Sequence, residues 1–402
     1  MKRLAKQRLG SFVISKAGGE VVRSFVPAPL PPKPPVRLSD LQLLLEQANQ
    51  ALGRLDGLAS ILPNMQLFIY TYVRKEAVLS SQIEGTQSSL SDLLLFENDE
   101  APGVPIHDVQ EVSNYVAALN HGLKQIKKGF PLSLRLIKEI HAVLLSNGRG
   151  SGKEPGEFRR SQNWIGGSRP GNAFYVPPPA NRVMECMGEL EKFLHEESRD
   201  LPPLIRAGLV HVQFETIHPF LDGNGRLGRL LITFLLCTTG ALRQPILYLS
   251  LFFKSHRQTY YDLLTRVRET GDWESWLEFF LSGVKETSEQ AVSSARRILA
   301  LLESDRRKIL ALGRPAASVL RVFQQAEKHP ILSIQSAMEK AKVSFPTTSQ
   351  AVIQMQRLGI LREITGKRRR RLFVYEAYMS ILNEGIEPPA KVRRRKTPGR
   401  PT

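Results

Sequence analysis

Two segments with helical periodicity are joined by the stretch His218-Pro219-Phe220-Leu221-Asp222-Gly223-Asn224-Gly225-Arg226-Leu227-Gly228-Arg229. The upstream apolar stripe ends at Ile217, and the downstream stripe begins at Leu227. Gly223, Asn224 and Gly225 are therefore predicted to lie at the N-terminus of a helix. Unpaired backbone N–H groups and the positive end of the helix dipole favour an anion at such a position.

The polar side chains of this stretch are those that phosphate chemistry needs. Glycine lets the backbone approach phosphate oxygens closely, and the forked guanidinium groups of Arg226 and Arg229 suit phosphate. Asp222 offers a hard oxygen ligand for Mg²⁺, which typically binds phosphates with few protein ligands. His218 can take up a proton near neutral pH. The combination predicts phosphoryl or nucleotidyl transfer, in which positioning and charge stabilisation dominate.

Two other interpretations of the stretch are weaker. The glycines at 223, 225 and 228 match the spacing of the dinucleotide-binding fingerprint, but that fingerprint follows a strand and the upstream segment is helical. His211, His218 and Asp222 could be grouped as metal ligands, although packing between helices is the simpler interpretation of His211.

Composition sets the broad class of the protein. A chain of 402 residues is too long for one ordinary core and predicts two or three domains. The net charge of +18 favours polyanionic partners, which include nucleic acid, anionic lipid and nucleotides. Cys186 and Cys237 do not form a close pair, so we expect neither a zinc site nor a disulfide framework. With no secretory signal and no apolar run long enough for a bilayer, we expect a cytoplasmic location and no membrane partner.

The pattern from Leu38 to Lys285 predicts mostly helices, with a Gly- and Pro-rich stretch at 148–180 that reads as a short β-hairpin or loop. Residues 27–35 are rich in proline and predict an extended arm, either packed on the surface or used for peptide recognition. The predicted domains are 1–37, an N-terminal Pro-rich arm; 38–100, an N-terminal helical region; 101–285, a catalytic core; 286–312, a polar connecting helix; 313–386, a small C-terminal domain; and 387–402, a basic disordered tail.

The C-terminal domain carries the pattern of a winged helix-turn-helix. Three helices and then two strands are predicted at 319–326, 334–341, 346–358, 360–364 and 372–375. The turn between the strands, 366–371, is basic, and residues 364–402 hold eleven basic side chains against three acidic ones. This charge predicts salt-sensitive nucleic-acid binding, whereas sequence-specific DNA binding and protein interaction both stay open for such a module.

The stretch 218–229 resembles the Fic (filamentation induced by cAMP) motif, HxFx(D/E)GNGRxxR, with every fixed position present. Residues 80–85, Ser-Ser-Gln-Ile-Glu-Gly, resemble the inhibitory motif (S/T)xxxE(G/N) of the class whose inhibitory helix precedes the Fic core. The resemblance implies a mainly α fold, in which a Fic-type helical core with a small β-hairpin flap is followed by a winged helix-turn-helix. The segment that resembles the target-binding flap comprises Ala173, Phe174, Tyr175 and Val176.

The resemblance also implies a role for each matching position. His218 would be the catalytic base for the target hydroxyl, and Asp222 would hold Mg²⁺ between the α- and β-phosphates of ATP. Ser80, Glu84 and Gly85 would form the inhibitory site, in which Glu84 pairs with Arg229 and displaces the γ-phosphate. The implied ATP-binding residues are Glu84, His218, Gly223, Asn224, Gly225, Arg226, Leu227, Gly228, Arg229 and, on the adenine side, Tyr261.

Three functions are compatible with these features. The first is a protein adenylyltransferase that moves AMP from ATP onto hydroxyl side chains, including its own, and is restrained by Glu84. The second is a DNA-binding regulator whose Fic core senses nucleotide, although the intact base His218 favours an enzyme. The third uses a phosphate or phosphocholine donor, but relatives of that kind depart from the motif near the anion hole and residues 223–229 do not. The target protein, a homodimeric state and the removal of AMP are left open.

Overall fold

The computed structural model describes residues 8–61, 65–97, 104–196, 201–367 and 369–385. It is mainly helical, which confirms the predicted fold class. The α-helices are α1 (Gln42–Ile61), α2 (Met65–Ile83), α3 (Leu90–Phe96), α4 (Ile106–Lys127), α5 (Leu134–Leu144), α6 (Val183–His195), α7 (Pro203–Ile217), α8 (Asn224–Thr238), α9 (Ser250–Ser255), α10 (Arg257–Thr270), α11 (Trp273–Leu310), α12 (Ala316–Lys328), α13 (Ile334–Ala341), α14 (Phe345–Arg357) and α15 (Glu376–Asn383). The strands are β1 (Ser11–Ala17), β2 (Glu20–Val26), β3 (Ile331–Ser333), β4 (Arg362–Glu363) and β5 (Leu372–Val374).

Helices α7 and α8 lie at the centre of a continuous apolar core. Helix α7 is buried along nearly its whole circumference, as expected of a helix that is apolar all round. The predicted catalytic loop, residues 218–223, therefore connects two central helices and has a rigid support on both sides. Among the described helices, none is long and apolar enough to cross a membrane.

The N-terminal arm is folded, which the sequence analysis did not predict. Strands β1 and β2 pair antiparallel over their whole length. Gly18 and Gly19 join them with φ values of 56° and 82°, the conformation that a two-residue hairpin turn requires. The proline-rich segment that follows packs on the helical body, where Gln213 Nε2 donates to Ala28 O at 2.9 Å. The structure therefore favours the packed arm over an exposed recognition segment.

The helix predicted at 286–312 is not a separate connecting element. It is the second half of α11, which runs without interruption from Trp273 to Leu310. Asp272 caps the start of α11 by accepting a hydrogen bond from Ser275 N at 3.1 Å. Buried residues continue along one face of α11 to Ile309, so both halves pack as one helix. The boundary predicted after residue 285 falls inside this helix.

The C-terminal elements are α12, α13, α14, α15 and a three-stranded antiparallel sheet in the order β3-β5-β4. The sequence analysis predicted two strands and missed β3, because three residues are too few to show a periodic pattern. The order of helices and strands is the one expected of a winged helix-turn-helix, and that assignment stays a prediction. Arg368 of the basic turn and the tail predicted from 387 lie outside the described residues.

Helix α2 carries the 80–85 segment at its end and packs between the central helices and the C-terminal elements. Tyr72 OH donates to Ala291 O of α11 at 2.8 Å. Lys75 Nζ donates to Glu384 O, just beyond α15, at 2.8 Å. These contacts fix α2 so that its last turn lies against the first turn of α8.

Candidate functional site

The candidate site lies where α7 ends and α8 begins. His218 follows α7 in the left-handed conformation, with φ 49° and ψ 60°. Its N–H donates to Phe214 O at 2.9 Å and closes the last turn of the helix. A non-glycine residue adopts this conformation at a cost of about 1–2 kcal/mol. The contacts around His218 therefore have to hold it in place.

The loop after His218 is locked by bonds to its own backbone. Asn224 Oδ1 accepts from Phe220 N, and Asn224 Nδ2 donates to Phe220 O, both at 2.9 Å. The Phe220 ring stacks on His141, with centroids 3.7 Å apart. His141 Nδ1 accepts from Gly156 N at 2.8 Å, so the ring proton is on Nε2, which donates to Asp222 O at 3.0 Å. The side chain of Asn224 thus shapes the loop, and only its backbone is left for an anion.

Asp222 is the carboxylate of the loop that reaches the cleft, and about a third of its side chain is exposed. Its Oδ1 accepts from Gly223 N at 2.6 Å and lies 3.4 Å from Arg226 Nη2. The guanidinium of Arg226 is buried, and its Nη1 lies 3.1 Å from Glu111 Oε2 on α4. Arg226 was expected to hold phosphates, but two carboxylates enclose it. The contact of Arg226 with phosphates stays a prediction.

Arg229 is the second arginine of the motif, and its partners come from α2. Arg229 Nη2 lies 2.6 Å from Glu84 Oε1. Its Nε donates to Ser80 Oγ at 2.8 Å, and Nη2 donates to Ser80 O at 3.0 Å. Glu84 also covers Gly225, since a Cβ on Gly225 would overlap Glu84 Oε1. The Glu84 carboxylate therefore lies beside the first turn of α8.

The first turn of α8 is where the sequence predicts an anion. Gly223 precedes the helix with φ 76°, and no described side chain caps this end. Its N–H groups are therefore free to bind an anion. Leu227 and Gly228 do not face this space. Leu227 is fully buried, and a Cβ on Gly228 would lie 2.6 Å from Glu215 Oε1, so both positions pack α8 against α7.

The charges of the site follow from burial and from the pairing of Arg229. Burial opposes ionisation of Glu84, but Arg229 outweighs it and lowers the pKa of Glu84 below its usual value. Burial likewise opposes the charge of Arg229, and Glu84 outweighs it and raises the pKa of Arg229. Burial, together with Arg268 and Arg159, lowers the pKa of His218 to about 4. At neutral pH the pair is ionised and His218 is neutral, so His218 can accept a proton.

The flap beside the site is held by an isolated β-bridge between Ile165 and Tyr175 rather than by a full hairpin. Ile165 N donates to Tyr175 O at 2.8 Å, and Phe174 N donates to Ile165 O at 3.0 Å. Tyr175 OH donates to Thr216 O, near the end of α7, at 2.7 Å. Phe174 is 90% exposed at the tip. The flap therefore presents an apolar side chain to solvent.

The N-terminal hairpin braces the other side of this flap. Phe25 N of β2 donates to Val176 O at 2.9 Å. Arg169 Nη1 and Glu20 Oε1 form an ion pair of 2.6 Å, and Ala173 packs on the small apolar cluster that contains Val176. The predicted arm is therefore part of the support of the site.

The two adjacent tyrosines of α10, Tyr260 and Tyr261, differ in their exposure to solvent. Tyr261 on α10 is 37% exposed, whereas Tyr260 is buried and its OH lies 2.8 Å from His211 Nε2. His211 thus packs within the core, as the simpler interpretation had it. Among the described residues, no group of three His, Cys, Asp or Glu side chains could hold a metal ion. A cation here would depend on Asp222 and on the ligands of a bound phosphate.

Arg159 is a residue of the site that the sequence analysis missed. It is buried, and its Nε donates to His218 O at 2.9 Å. Its Nη2 donates to Pro178 O, and its backbone N–H donates to Pro219 O at 2.9 Å. The guanidinium lies at the C-terminal end of α7, where the helix dipole favours a cation. Arg159 ties the flap to the catalytic loop, but no periodic pattern in the sequence marks it.

Comparison with known families matches two parts of the chain. Residues 42–124 match the Fic/DOC family N-terminal region, and residues 131–236 match the Fic/DOC family. Over 209 residues the chain is 32% identical to protein adenylyltransferase Fic of Aedes aegypti and 31% identical to that of Culex quinquefasciatus. Each alignment covers 51% of this chain and 39% of the relative, so the match spans about two fifths of those proteins.

Solved structures share the fold. A Fic family protein from Desulfovibrio desulfuricans superposes with a TM-score of 0.56 at 20% identity, covering 83% of this chain and 95% of its own. A Fic domain containing signaling protein from Bacteroides thetaiotaomicron gives 0.52 at 19% identity, with 63% and 97% covered. Fic-1 from C. elegans gives 0.50 at 25% identity, with 66% and 75% covered. The helical body therefore has the fold of these Fic proteins.

Proposed function

We propose that this chain, which carries the N-terminal and main domains of the Fic/DOC family, transfers AMP from ATP to hydroxyl side chains of proteins, itself included. Glu84 restrains this activity. One observation supports this proposal most strongly. A single loop, held by its own hydrogen bonds, connects His218, which is neutral and partly exposed, to the N-terminus of α8, which no described side chain caps. The names of relatives at about 30% identity over half of the chain support AMP as the transferred group.

His218 supplies the base. An imidazole with a pKa near 4 is neutral at pH 7 and has a free lone pair. The oxygen of the target hydroxyl attacks the α-phosphorus of ATP, and its proton passes to His218. The bond from the α-phosphorus to the diphosphate breaks, and diphosphate leaves. The exposed Phe174 and the backbone of the flap would align the target segment beside His218.

The phosphates of ATP would lie against the first turn of α8. The N–H groups there and the helix dipole attract negative charge. Arg229 would bind the γ-phosphate once Glu84 withdraws from it. Arg226 contributes from beneath, because its contacts with Glu111 and Asp222 hold the Asp222 carboxylate in place.

Mg²⁺ fits the donor set of this site as a partner of the phosphates. Asp222 is a partly exposed carboxylate with Oδ1 held by Gly223 N. One or two carboxylates together with substrate phosphates are the usual ligands of Mg²⁺ in nucleotide sites. When bound, the ion would neutralise phosphate charge and orient the diphosphate.

Restraint follows from the position of Glu84. Its carboxylate is paired with Arg229 and covers Gly225, so it occupies space that a γ-phosphate bound to Arg229 would need. Ser80 holds the same guanidinium from one turn earlier in α2. ATP therefore has to displace an ion pair before it can bind productively.

The donor chemistry is tested with ATP labelled at either the α- or the γ-phosphate. The Glu84→Gly variant, given Mg²⁺, should retain the α-label on a hydroxyl side chain and add the mass of one AMP unit. The same variant with His218→Ala is the control and should stay unlabelled. Retention of the γ-label instead would show phosphoryl transfer and overturn the proposal.

A second candidate role is DNA binding by the C-terminal elements, favoured by the basic turn between β4 and β5. Deleting residues 364–402 would remove β5 and α15 from the core, so substitution is the better test. Replacing Arg369 and Arg370 with glutamine should weaken binding to duplex DNA and reduce its salt dependence. Absence of binding by the unmodified protein at low salt would exclude this role.

A further inference from the structure

Glu215 lies on α7 three residues before His218, and its carboxylate is buried beneath the catalytic loop. Glu215 Oε2 lies 4.0 Å from His218 Nδ1. His218 Nδ1 and Glu215 Oε1 are shielded from solvent, and within the described part of the chain neither has a hydrogen-bond partner of good geometry. The backbone carbonyl of Glu215 also faces the His218 ring and raises its pKa. Burial of a polar atom without a partner is unfavourable. Two such atoms on neighbouring side chains therefore indicate a contact that forms in another state of the site.

The backbone brings these two side chains together. The left-handed conformation of His218 ends α7 and turns the residue back over the last turn of its own helix, where Glu215 lies. A separation of 4.0 Å is too long for a hydrogen bond, but a shift of about 1 Å in either side chain would close it. Bonds between catalytic groups are often long without substrate and shorten when it binds.

Gly228 makes room for the carboxylate. A Cβ at this position would lie 2.6 Å from Glu215 Oε1 and 3.4 Å from His211 Nδ1. A side chain on α8 would therefore push Glu215 away from its place beneath the loop. Position 228 of the motif therefore needs a glycine for packing against Glu215, independently of ATP.

We propose that Glu215 is the positioning residue of His218. Its carboxylate accepts the proton of His218 Nδ1, so that Nε2 carries the lone pair that takes the proton of the target hydroxyl. This inference rests on the proposed AMP transfer. Without the carboxylate, the neutral ring would also adopt the tautomer with its proton on Nε2, and that tautomer cannot act as the base. In its ionised form, Glu215 would also stabilise the imidazolium that forms as the hydroxyl is deprotonated.

The surroundings of Glu215 leave a second role to be separated from this one. Burial raises the pKa of Glu215 to about 7, Arg229 of α8 and Arg268 of α10 oppose this rise, and Glu84, just beyond α2, adds to it. If Glu215 served Arg229 instead, its loss would change the binding of ATP. If it serves His218, its loss changes the turnover number and the tautomer of the ring.

The test uses the full chain with Glu84→Gly as the reference, and compares Glu215→Leu, Glu215→Gln and Glu76→Gln within it. Leucine removes the acceptor, glutamine keeps one neutral acceptor, and Glu76 is a matched control, because it is a buried carboxylate that acts on Arg229 from α2. Auto-modification rates at varied ATP give kcat and KM. Nitrogen-15 NMR of labelled histidine gives the tautomer, with His218→Ala identifying the signals.

Glu215→Leu should lower kcat about a hundredfold with the KM for ATP changed less than about twofold, and Glu215→Gln should restore part of the rate. His218 should carry its proton on Nδ1 in the reference and populate both tautomers in Glu215→Leu, while Glu76→Gln changes neither kcat nor the tautomer. An unchanged tautomer, or a raised KM with unchanged kcat, would overturn the assignment. If the reference transfers no AMP, the proposed function fails, and the tautomer measurement still tests Glu215.

Discussion

The catalytic loop and the end of α2 meet at Arg229, but they are held in different ways. Within the loop, Asn224 binds the backbone of Phe220 twice, and Arg226 is enclosed by carboxylates. The end of α2 reaches the site through Glu84, whose side chain is 31% exposed, and Gly85 behind it has open space around its Cα. The geometry of the loop is therefore built into the fold, whereas the Glu84 carboxylate lies on a less enclosed segment.

The largest expected effect on the auto-modification rate comes from replacing His218, the proposed base, which follows α7 in the rigid loop. In a Glu84→Gly background, His218→Ala should lower the rate of auto-modification by about 10²–10⁴-fold, because the hydroxyl loses its proton acceptor. ATP binding should persist, since the first turn of α8 and Arg229 are untouched. Initial rates with α-labelled ATP and calorimetry with ATP measure the two effects. A variant that kept a tenth of the rate would show that His218 is not the base.

Replacing Glu84, the carboxylate that ATP is expected to displace, should raise the auto-modification rate rather than lower it. Glu84→Gly should raise auto-modification by about 10- to 100-fold, which corresponds to the roughly 1.5–3 kcal/mol of one charge-assisted hydrogen bond. Ser80→Ala keeps the ion pair and should give a smaller increase. The auto-modification rates of both variants are compared with that of the wild-type protein. Equal rates in all three proteins would mean that the end of α2 does not restrain the site.

The free energy of unfolding should also differ between a variant of the loop and a variant at the end of α2. Asn224→Ala leaves the N–H and C=O of Phe220 without their partners and should cost about 1–3 kcal/mol of unfolding free energy. Glu84→Gly removes one charge-assisted hydrogen bond of Arg229, which keeps its two bonds to Ser80, and should cost less than Asn224→Ala, at about 1.5 kcal/mol. Denaturant unfolding of the two variants gives the difference. A larger loss in Glu84→Gly would make α2 a structural element rather than a removable block.

The smallest effect is expected from pH. The pKa of Glu84 is lowered from 4.5, so the ion pair contributes fully above that value and is lost as the pH falls through the lowered pKa. The ratio of the Glu84→Gly rate to that of the unmodified protein should therefore vary less than about twofold from pH 6 to 8. Rates measured across this range check it. A ratio that collapses toward one near pH 6 would mean that Glu84 is protonated there.

The sequence predicts the parts of the site that lie on short contiguous motifs. The loop between α7 and α8 follows from residue types at fixed spacing, and the contact of Ser80 and Glu84 with Arg229 follows from the resemblance of residues 80–85 to the inhibitory motif. The hairpin of β1 and β2 also has a sequence signal, because Gly18-Gly19 stands between two runs rich in β-branched residues. The proline-rich segment that follows led instead to the interpretation of residues 1–37 as an arm.

The rest depends on contacts between distant parts of the chain. Glu111 meets Arg226 across 115 positions, and Arg159 meets the carbonyl of His218 across 59. Neither residue stands in a pattern that marks its partner. Arg226 illustrates the consequence, since the motif suggests a phosphate ligand and the tertiary structure adds two carboxylate partners, Glu111 and Asp222.

Glu84 and the γ-phosphate are expected to compete for Arg229. This competition is measured by the dissociation constants of ATP and ADP, each with Mg²⁺, for the wild-type protein and for Glu84→Gly. Glu84→Gly should tighten ATP binding by about tenfold, about 1.4 kcal/mol, and change ADP binding less than twofold. Equal shifts for both nucleotides, or no shift for either, would contradict it.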